Sequence, residues 1–451
     1  MRRPGTIFLV LVAAALVRPL PVCAAKAKKA APPARKAPGA PKKKAPGKGA
    51  PPAALAFASP ALDAFLDRLT ELERGDPGAP SLVRVLHFGD SHVAADYWSG
   101  ELRRLFQERF GDAGPGHVFP GRPWRYFRHA RARSLAAAGW ETAGLGSGLQ
   151  DGVYGLSGVG LVPLGEAEPA ALEASFSDFE VQLALFADGE CATVAVDGDT
   201  FFAGTPDDPA ALECADVDVE PVEGSGVRLV RIRPREPLAE VPHRLEVGDG
   251  CGGAARLLGS DLWSGRPGVV WDALGVNGAE LGALRKWDPS VRRLLLSLSD
   301  PALLVVSYGT NDLGRSDLTY EGYRADAVAL LSSLKADAPG ASVLVTGPID
   351  RGSRSRKRRR SLAANEALLI RALREAARET GCAFWDARAA MGGDGSISRW
   401  ASRGLAQRDL VHLTGKGYGE LARLLHSRLM EASAARRGAG PVSTARGARA
   451  P

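Results

Sequence analysis

Cysteine is scarce, with five in 451 residues, and no spacing among them matches a zinc site or a C-x-x-C redox pair. Long apolar runs are missing as well. Only Ile7 to Val17 is continuously apolar, too short to cross a bilayer, and no later segment is long enough. With Met1-Arg2-Arg3 before it and Val22-Cys23-Ala24 after it, this run predicts a secretory signal spanning residues 1–24 and removed after Ala24. The alternative, a lipoprotein anchored through Cys23, is weakened by Val22 immediately before that cysteine. No transmembrane span is expected once the signal is gone, and the expected location is the periplasm or cell envelope. Export fits the sparing use of Cys191, Cys214, Cys251 and Cys382, for which a Cys191 to Cys214 bridge is the first pairing to try and others stay open.

Acidic and large apolar residues are both absent from residues 25–50, which are almost wholly Ala, Pro, Lys and Gly. Such a stretch has nothing to build a core from, so residues 25–56 are predicted to be a disordered linker. Its nine Lys and Arg side chains account for more than the whole formal net charge of +7. The basic balance therefore describes a tether rather than a fold, and a nucleic-acid partner is not expected. Residues 433–451 are expected to form a second disordered tail.

The rest of the chain is organised around Val83-Arg84-Val85-Leu86-His87-Phe88-Gly89-Asp90-Ser91-His92, where a buried strand runs into a turn that delivers Ser91 to the start of a helix. One helix is expected over Ala94 to Phe110. A strand-turn-helix junction projects a side chain from the carboxyl edge of a sheet, with free amides of the first helical turn beside it. That suits a nucleophile, although on this stretch alone Ser91 could equally be a helix cap. Three later blocks add weight: Val270 to Ala279 with its glycine turn, Leu303 to Asp312 ending Gly309-Thr310-Asn311-Asp312, and Asp409-Leu410-Val411-His412.

With Gly-Asp-Ser-His, these four blocks in this order resemble the SGNH hydrolase superfamily, also called GDSL esterases, over most of Leu82 to Leu429. The resemblance implies an α/β three-layer domain with a central parallel sheet. Strands at Val269 to Trp271, Leu303 to Ser307, Val343 to Thr346 and Ala383 to Trp385, alternating with helices, are consistent with it. Ser91 needs a base within hydrogen-bond reach. His412 is the best of the seven histidines, because Asp409 three residues earlier can fix its tautomer. By resemblance, the oxyanion hole is formed by the amides of Ser91 and Gly278, with Gly275 as an alternative, and by the side chain of Asn311. His92 is a candidate for lining the substrate cleft, or a residue of the helix start with no special role. Asp90 is expected to fix the turn and Asp312 to support Asn311. No metal or organic cofactor is implied.

Between Leu161 and Ser264 the pattern turns from helical to alternating, with Asp-Gly and Gly-Ser-Gly turns, and predicts an all-β, jelly-roll-like insert. It divides the hydrolase domain into residues 57–160 and 265–432. The insert is strongly acidic, with 21 Asp and Glu against 6 Arg from Leu161 to Trp263, while the flanking segments are net basic. It resembles the carbohydrate-binding modules found at this point in peptidoglycan O-acetylesterases of the superfamily, the alternative being a stabilising lid. Asp197-Gly198-Asp199 is a turn that could hold calcium but reads equally as a solvated loop. The run Arg351 to Arg360 falls at the end of the fourth strand, either as a solvated loop or as an anion-binding lip.

The expected function is an exported serine esterase removing O-acetyl groups from a cell-envelope polysaccharide, peptidoglycan first, and acting as a monomer. The alternatives are a lipase or thioesterase using the same chemistry, or a non-catalytic envelope-binding protein.

Overall fold

The computed structural model describes residues 60–438, apart from 76–77, 80, 147, 208–214 and 250–254. The signal, the linker, Cys23, Cys214, Cys251 and the tail beyond residue 438 lie outside the described residues. Cys191 is disulfide-bonded, and Cys382 is free and buried.

Five parallel strands form the central sheet, in the spatial order Gly268–Gly275, Leu82–Gly89, Leu303–Ser307, Ser342–Thr346 and Ala383–Trp385. Numbered along the chain this is 2-1-3-4-5, a doubly wound order. The period of two along each strand decides what each face packs against. Val83 and Val85, with Leu303 and Val305, face Phe65, Leu102, Phe106 and Leu421 from the helices Asp63–Arg74, Trp98–Phe110 and Gly415–Gly438. Leu86 and Phe88, with Leu304 and Val306, face Leu295, Leu331 and Leu369 from Pro289–Ser299, Tyr320–Asp337 and Arg356–Thr380. Helices on both faces make the three layers.

The rest of the described chain is a β-rich insert of two antiparallel sheets, of seven and five strands. Phe179 of the larger sheet packs on Phe176 and Phe201 of the smaller one. The alternation between Leu161 and Ser264 is realised as strands, among them Asp178–Leu185, Ala192–Val196, Arg228–Pro234 and Val241–Gly248. The sheets also take in strands well before Leu161, namely Gly116–Val118, Ala132–Ser134 and Trp140–Gly144, and one that straddles it, Val159–Pro163. Three to five residues give too few alternations to stand out in that glycine-rich stretch. At the Asp197-Gly198 turn, Asp197 accepts from the His243 ring and from the Arg244 amide, so its carboxylate is engaged within the hairpin region.

Several boundaries differ from expectation for local reasons. The helix expected over Ala94 to Phe110 is two helices, Ser91–Ala94 and Trp98–Phe110. Between them Asp96 sits at φ 49°, its buried carboxylate taken by Arg103, Ser99 and the Ala130 amide. The run from Arg351 to Arg360, read as a loop or lip, is helical from Arg356, where Ser355 caps the helix through the Arg358 amide. Ser433 to Gly438, expected in a disordered tail, complete the last helix, and Arg436 there pairs with Asp63 and Asp67. No helix among the described residues is long and apolar enough to cross a membrane.

Candidate active site

Sheet register brings the expected blocks to one edge. Gly89 lies opposite Gly275 on one side and Ser307 on the other. Ser91, Gly278 and Asn311 therefore leave the sheet two, three and four residues beyond the same level of three adjacent strands. This is the topological switch point of a doubly wound sheet, the place where such folds bind ligands.

Ser91 Oγ lies 3.1 Å from His412 Nε2, and His412 Nδ1 lies 2.7 Å from Asp409 Oδ2. The carboxylate can only accept, so Nδ1 carries the proton and Nε2 is left as an acceptor for the serine hydroxyl. The other carboxylate oxygen, Asp409 Oδ1, accepts from the amides of Val411 and His412, at 2.9 and 3.0 Å. Burial opposes the charge on Asp409, but these three hydrogen bonds prevail and hold the carboxyl below its ordinary range. Leu410, between the two, adopts φ 57°, a left-handed conformation rare for leucine. Its carbonyl accepts from the Gly352 amide at 2.8 Å, so the turn is clamped from the next strand's loop. Ser91, His412 and Asp409 are all partly open to solvent.

The two glycines of the second block separate by environment. A Cβ on Gly275 would come within 2.2 Å of the Ala94 amide nitrogen, so this position serves the close approach of the strand to the short helix carrying Ser91. Gly278 has φ 77° and open space where a Cβ would stand. Asn311 Nδ2 donates to the Ala279 carbonyl at 2.9 Å, which ties its block to the Gly278 turn and leaves a second amide hydrogen for another acceptor. Asp312 is buried and accepts from the Leu281 amide; burial pushes its carboxyl up to about 6.

His92 does not line an open cleft. It is buried, its Nδ1 is 2.8 Å from the Tyr418 hydroxyl, and its ring centroid lies 5.4 Å from that of His412. Burial, reinforced by repulsion from His412 and Arg351, pushes it down to about 3, so it is neutral behind the His412 ring. Asp90 caps the short helix through the His92 amide at 2.9 Å, and burial pushes its carboxyl up to about 7 despite that bond. Tyr418 has no signal of its own in the sequence, falling on the buried stripe of the last helix with Leu421, Leu425 and Leu429. Arg351 reaches the site by donating from Nη1 to the Thr310 carbonyl at 2.6 Å.

Residues 241–419 match the GDSL-like Lipase/Acylhydrolase family. That span holds Gly278, Asn311, Asp409 and His412, whereas Ser91 lies on the far side of the insert. The chain also superposes on a solved structure of a peptidoglycan O-acetylesterase with a TM-score of 0.64 and 22% identity, covering 82% of this chain and 96% of that one. Over residues 241–419 the chain is thus similar to GDSL-like acylhydrolases, and it shares with the esterase structure a three-layer α/β fold with a β-rich insert. A family two carbohydrate esterase from Clostridium thermocellum is a more distant likeness, with 14% identity, a TM-score of 0.29, and coverage of 60% of this chain and 94% of that one. No curated protein matches the sequence.

Proposed function

We propose that the protein is a serine esterase of the GDSL type in which Ser91, His412 and Asp409 act as one unit. The observation that carries this is the hydrogen-bonded chain from Ser91 Oγ through His412 to Asp409 at the sheet's carboxyl edge. Ser91 Oγ attacks the ester carbonyl as its proton passes to His412 Nε2, while Asp409 stabilises the resulting imidazolium. The negative charge on the tetrahedral oxygen is met by the amides of Ser91 and Gly278 and the free hydrogen of Asn311 Nδ2. Collapse expels the alcohol, which takes the proton from His412. Water then attacks the acyl-serine with His412 again as base, releasing the acid and restoring the hydroxyl.

For substrate, the reading is O-acetyl groups on a cell-envelope polysaccharide, with peptidoglycan first. Its support is the likeness in fold to a peptidoglycan O-acetylesterase, the secretory signal read at the N-terminus, and a β-rich insert where glycan-binding modules occur in related esterases. In this reading the insert grips the glycan while the linker tethers the enzyme to an anionic envelope. The test is acetate release from purified O-acetylated peptidoglycan, compared at matched concentration with acetylated xylan and long-chain acyl esters. Preference for peptidoglycan is expected. Preference for xylan moves the substrate but keeps the reaction, and preference for long-chain esters overturns the carbohydrate assignment.

A further inference from the structure

The run from Arg351 to Arg360 concentrates seven cations, Arg351, Arg354, Arg356, Lys357, Arg358, Arg359 and Arg360, in ten residues. Among the described residues none of the seven has a carboxylate within ion-pair distance, whereas Arg371 and Arg374 further along the same helix pair with Glu375 and Asp386. Five of them occupy the start of the Arg356–Thr380 helix, with no acid in its first turn. Cations there oppose the helix dipole as well as one another. The charge is thus held at a cost that an external anion would relieve.

Its position gives that charge a use. Arg351 is half-buried and joined to the site on two sides, through its own bond to the Thr310 carbonyl at 2.6 Å and through the bond from the Gly352 amide to the Leu410 carbonyl at 2.8 Å. Thr310 immediately precedes Asn311, and Leu410 lies between Asp409 and His412. Only Nη1 of the guanidinium is engaged, so the other edge of the fork is unfilled. Burial and then repulsion from Arg358 disfavour its charge, and together they outweigh the attraction of Asp409 and Asp90.

Resting on the esterase reading above, we propose that Arg351, backed by the cations that follow it, binds a carboxylate of the substrate beside the ester attacked at Ser91. The substrate class is an acyl ester on an acidic glycan, with the carboxylate on the acylated sugar or its immediate neighbour. A planar guanidinium with a free edge matches a carboxylate through paired hydrogen bonds, which a lysine cannot reproduce.

The test uses the full chain and a matched pair, O-acetylated glucuronic acid and its carboxamide, with p-nitrophenyl acetate as a neutral reference. At low salt the acid is expected to be favoured about tenfold or more in kcat/KM, chiefly through KM, and half-molar NaCl should erase most of that preference. Arg351→Gln should bring the acid-to-carboxamide ratio close to one, and Arg351→Lys should fall between. Equal turnover of the pair by the wild-type enzyme, or full preference retained by Arg351→Gln, would overturn the inference while leaving the esterase intact. Failure to release p-nitrophenol from the reference ester would sink the esterase reading itself, and this inference with it.

Discussion

At the residue scale, the proposed mechanism has three groups acting on one proton and one developing charge. Removing Ser91 or His412 breaks the whole unit, so Ser91→Ala and His412→Ala are each expected to lower kcat by on the order of 10⁴-fold or more. Asn311→Ala removes one of three donors and should cost roughly 10² to 10³-fold. The measurement is steady-state hydrolysis of p-nitrophenyl acetate, with circular dichroism to show that the fold is kept. Near-normal turnover by Ser91→Ala in a folded protein would refute the mechanism. Much of this was legible in the sequence, because a strand end, a small turn and a polar residue recur in four blocks. Tyr418 was not legible as part of the site, since its role depends on meeting His92, 326 residues away, and Arg351 was legible only as the first cation of a run at a strand end, not through its bond to the Thr310 carbonyl. For His92 the sequence left two readings open, a cleft-lining residue or a residue of the helix start, and its ring is buried beside Tyr418 and His412.

The short helix Ser91–Ala94 is the element on which the site depends, and two contacts hold it. One is the approach of Gly275, where a methyl group would collide with the Ala94 backbone. Gly275→Ala should therefore displace Ser91 and lower kcat by at least tenfold while changing the thermal midpoint by only a few degrees. Unchanged kinetics would show that the contact is slack. The other is the cap from Asp90, whose carboxyl burial raises to about 7 in the folded protein, against an ordinary value of 3.8. A raised acid binds its proton more tightly when folded. Its stabilising contribution is complete below about pH 4 and is lost as the pH rises towards and through 7. Asp90→Asn keeps a capping side chain without the charge. Relative to the wild type, its melting temperature should rise progressively from pH 5 to pH 8, and a constant difference across that range would refute the assignment. Helix boundaries were the less legible part at this scale. The break at Asp96 follows from a buried pair with Arg103, and the start at Arg356 from a serine cap that outweighs five cations. Neither effect appears in an apolar periodicity.

For the whole molecule, the question is how a β-rich insert and a three-layer body behave as parts of one chain. Alternation made the insert legible, but its attachment was not, because the residues that fasten it are far apart in sequence. Arg84, on the strand leading to Ser91, is buried between Asp272 on the adjacent parallel strand and Asp261 on the Arg256–Trp263 strand of the insert, at 2.7 to 2.8 Å. Burial disfavours the charge on Arg84, yet the two carboxylates more than compensate and raise its pKa above the ordinary arginine value. Asp261 also takes the His117 ring at 2.9 Å and Gln182 at 3.1 Å, so one carboxylate joins three segments. The apolar core is continuous across the same boundary, running from Leu86 and Phe88 of the body to Leu183 and Val230 of the insert. A shared core and a shared buried charge predict one cooperative unfolding transition for the described region, not two. Asp261→Asn preserves shape but leaves Arg84 with a single counter-charge, a change that costs about 3–5 kcal/mol when a buried pair is broken. In urea, followed by both tryptophan fluorescence and far-ultraviolet circular dichroism, the variant should unfold at lower denaturant with the two signals still coincident. Two separated transitions in the wild-type protein would mean that insert and body fold independently. An unchanged midpoint in Asp261→Asn would mean that the charge network is not what fastens them.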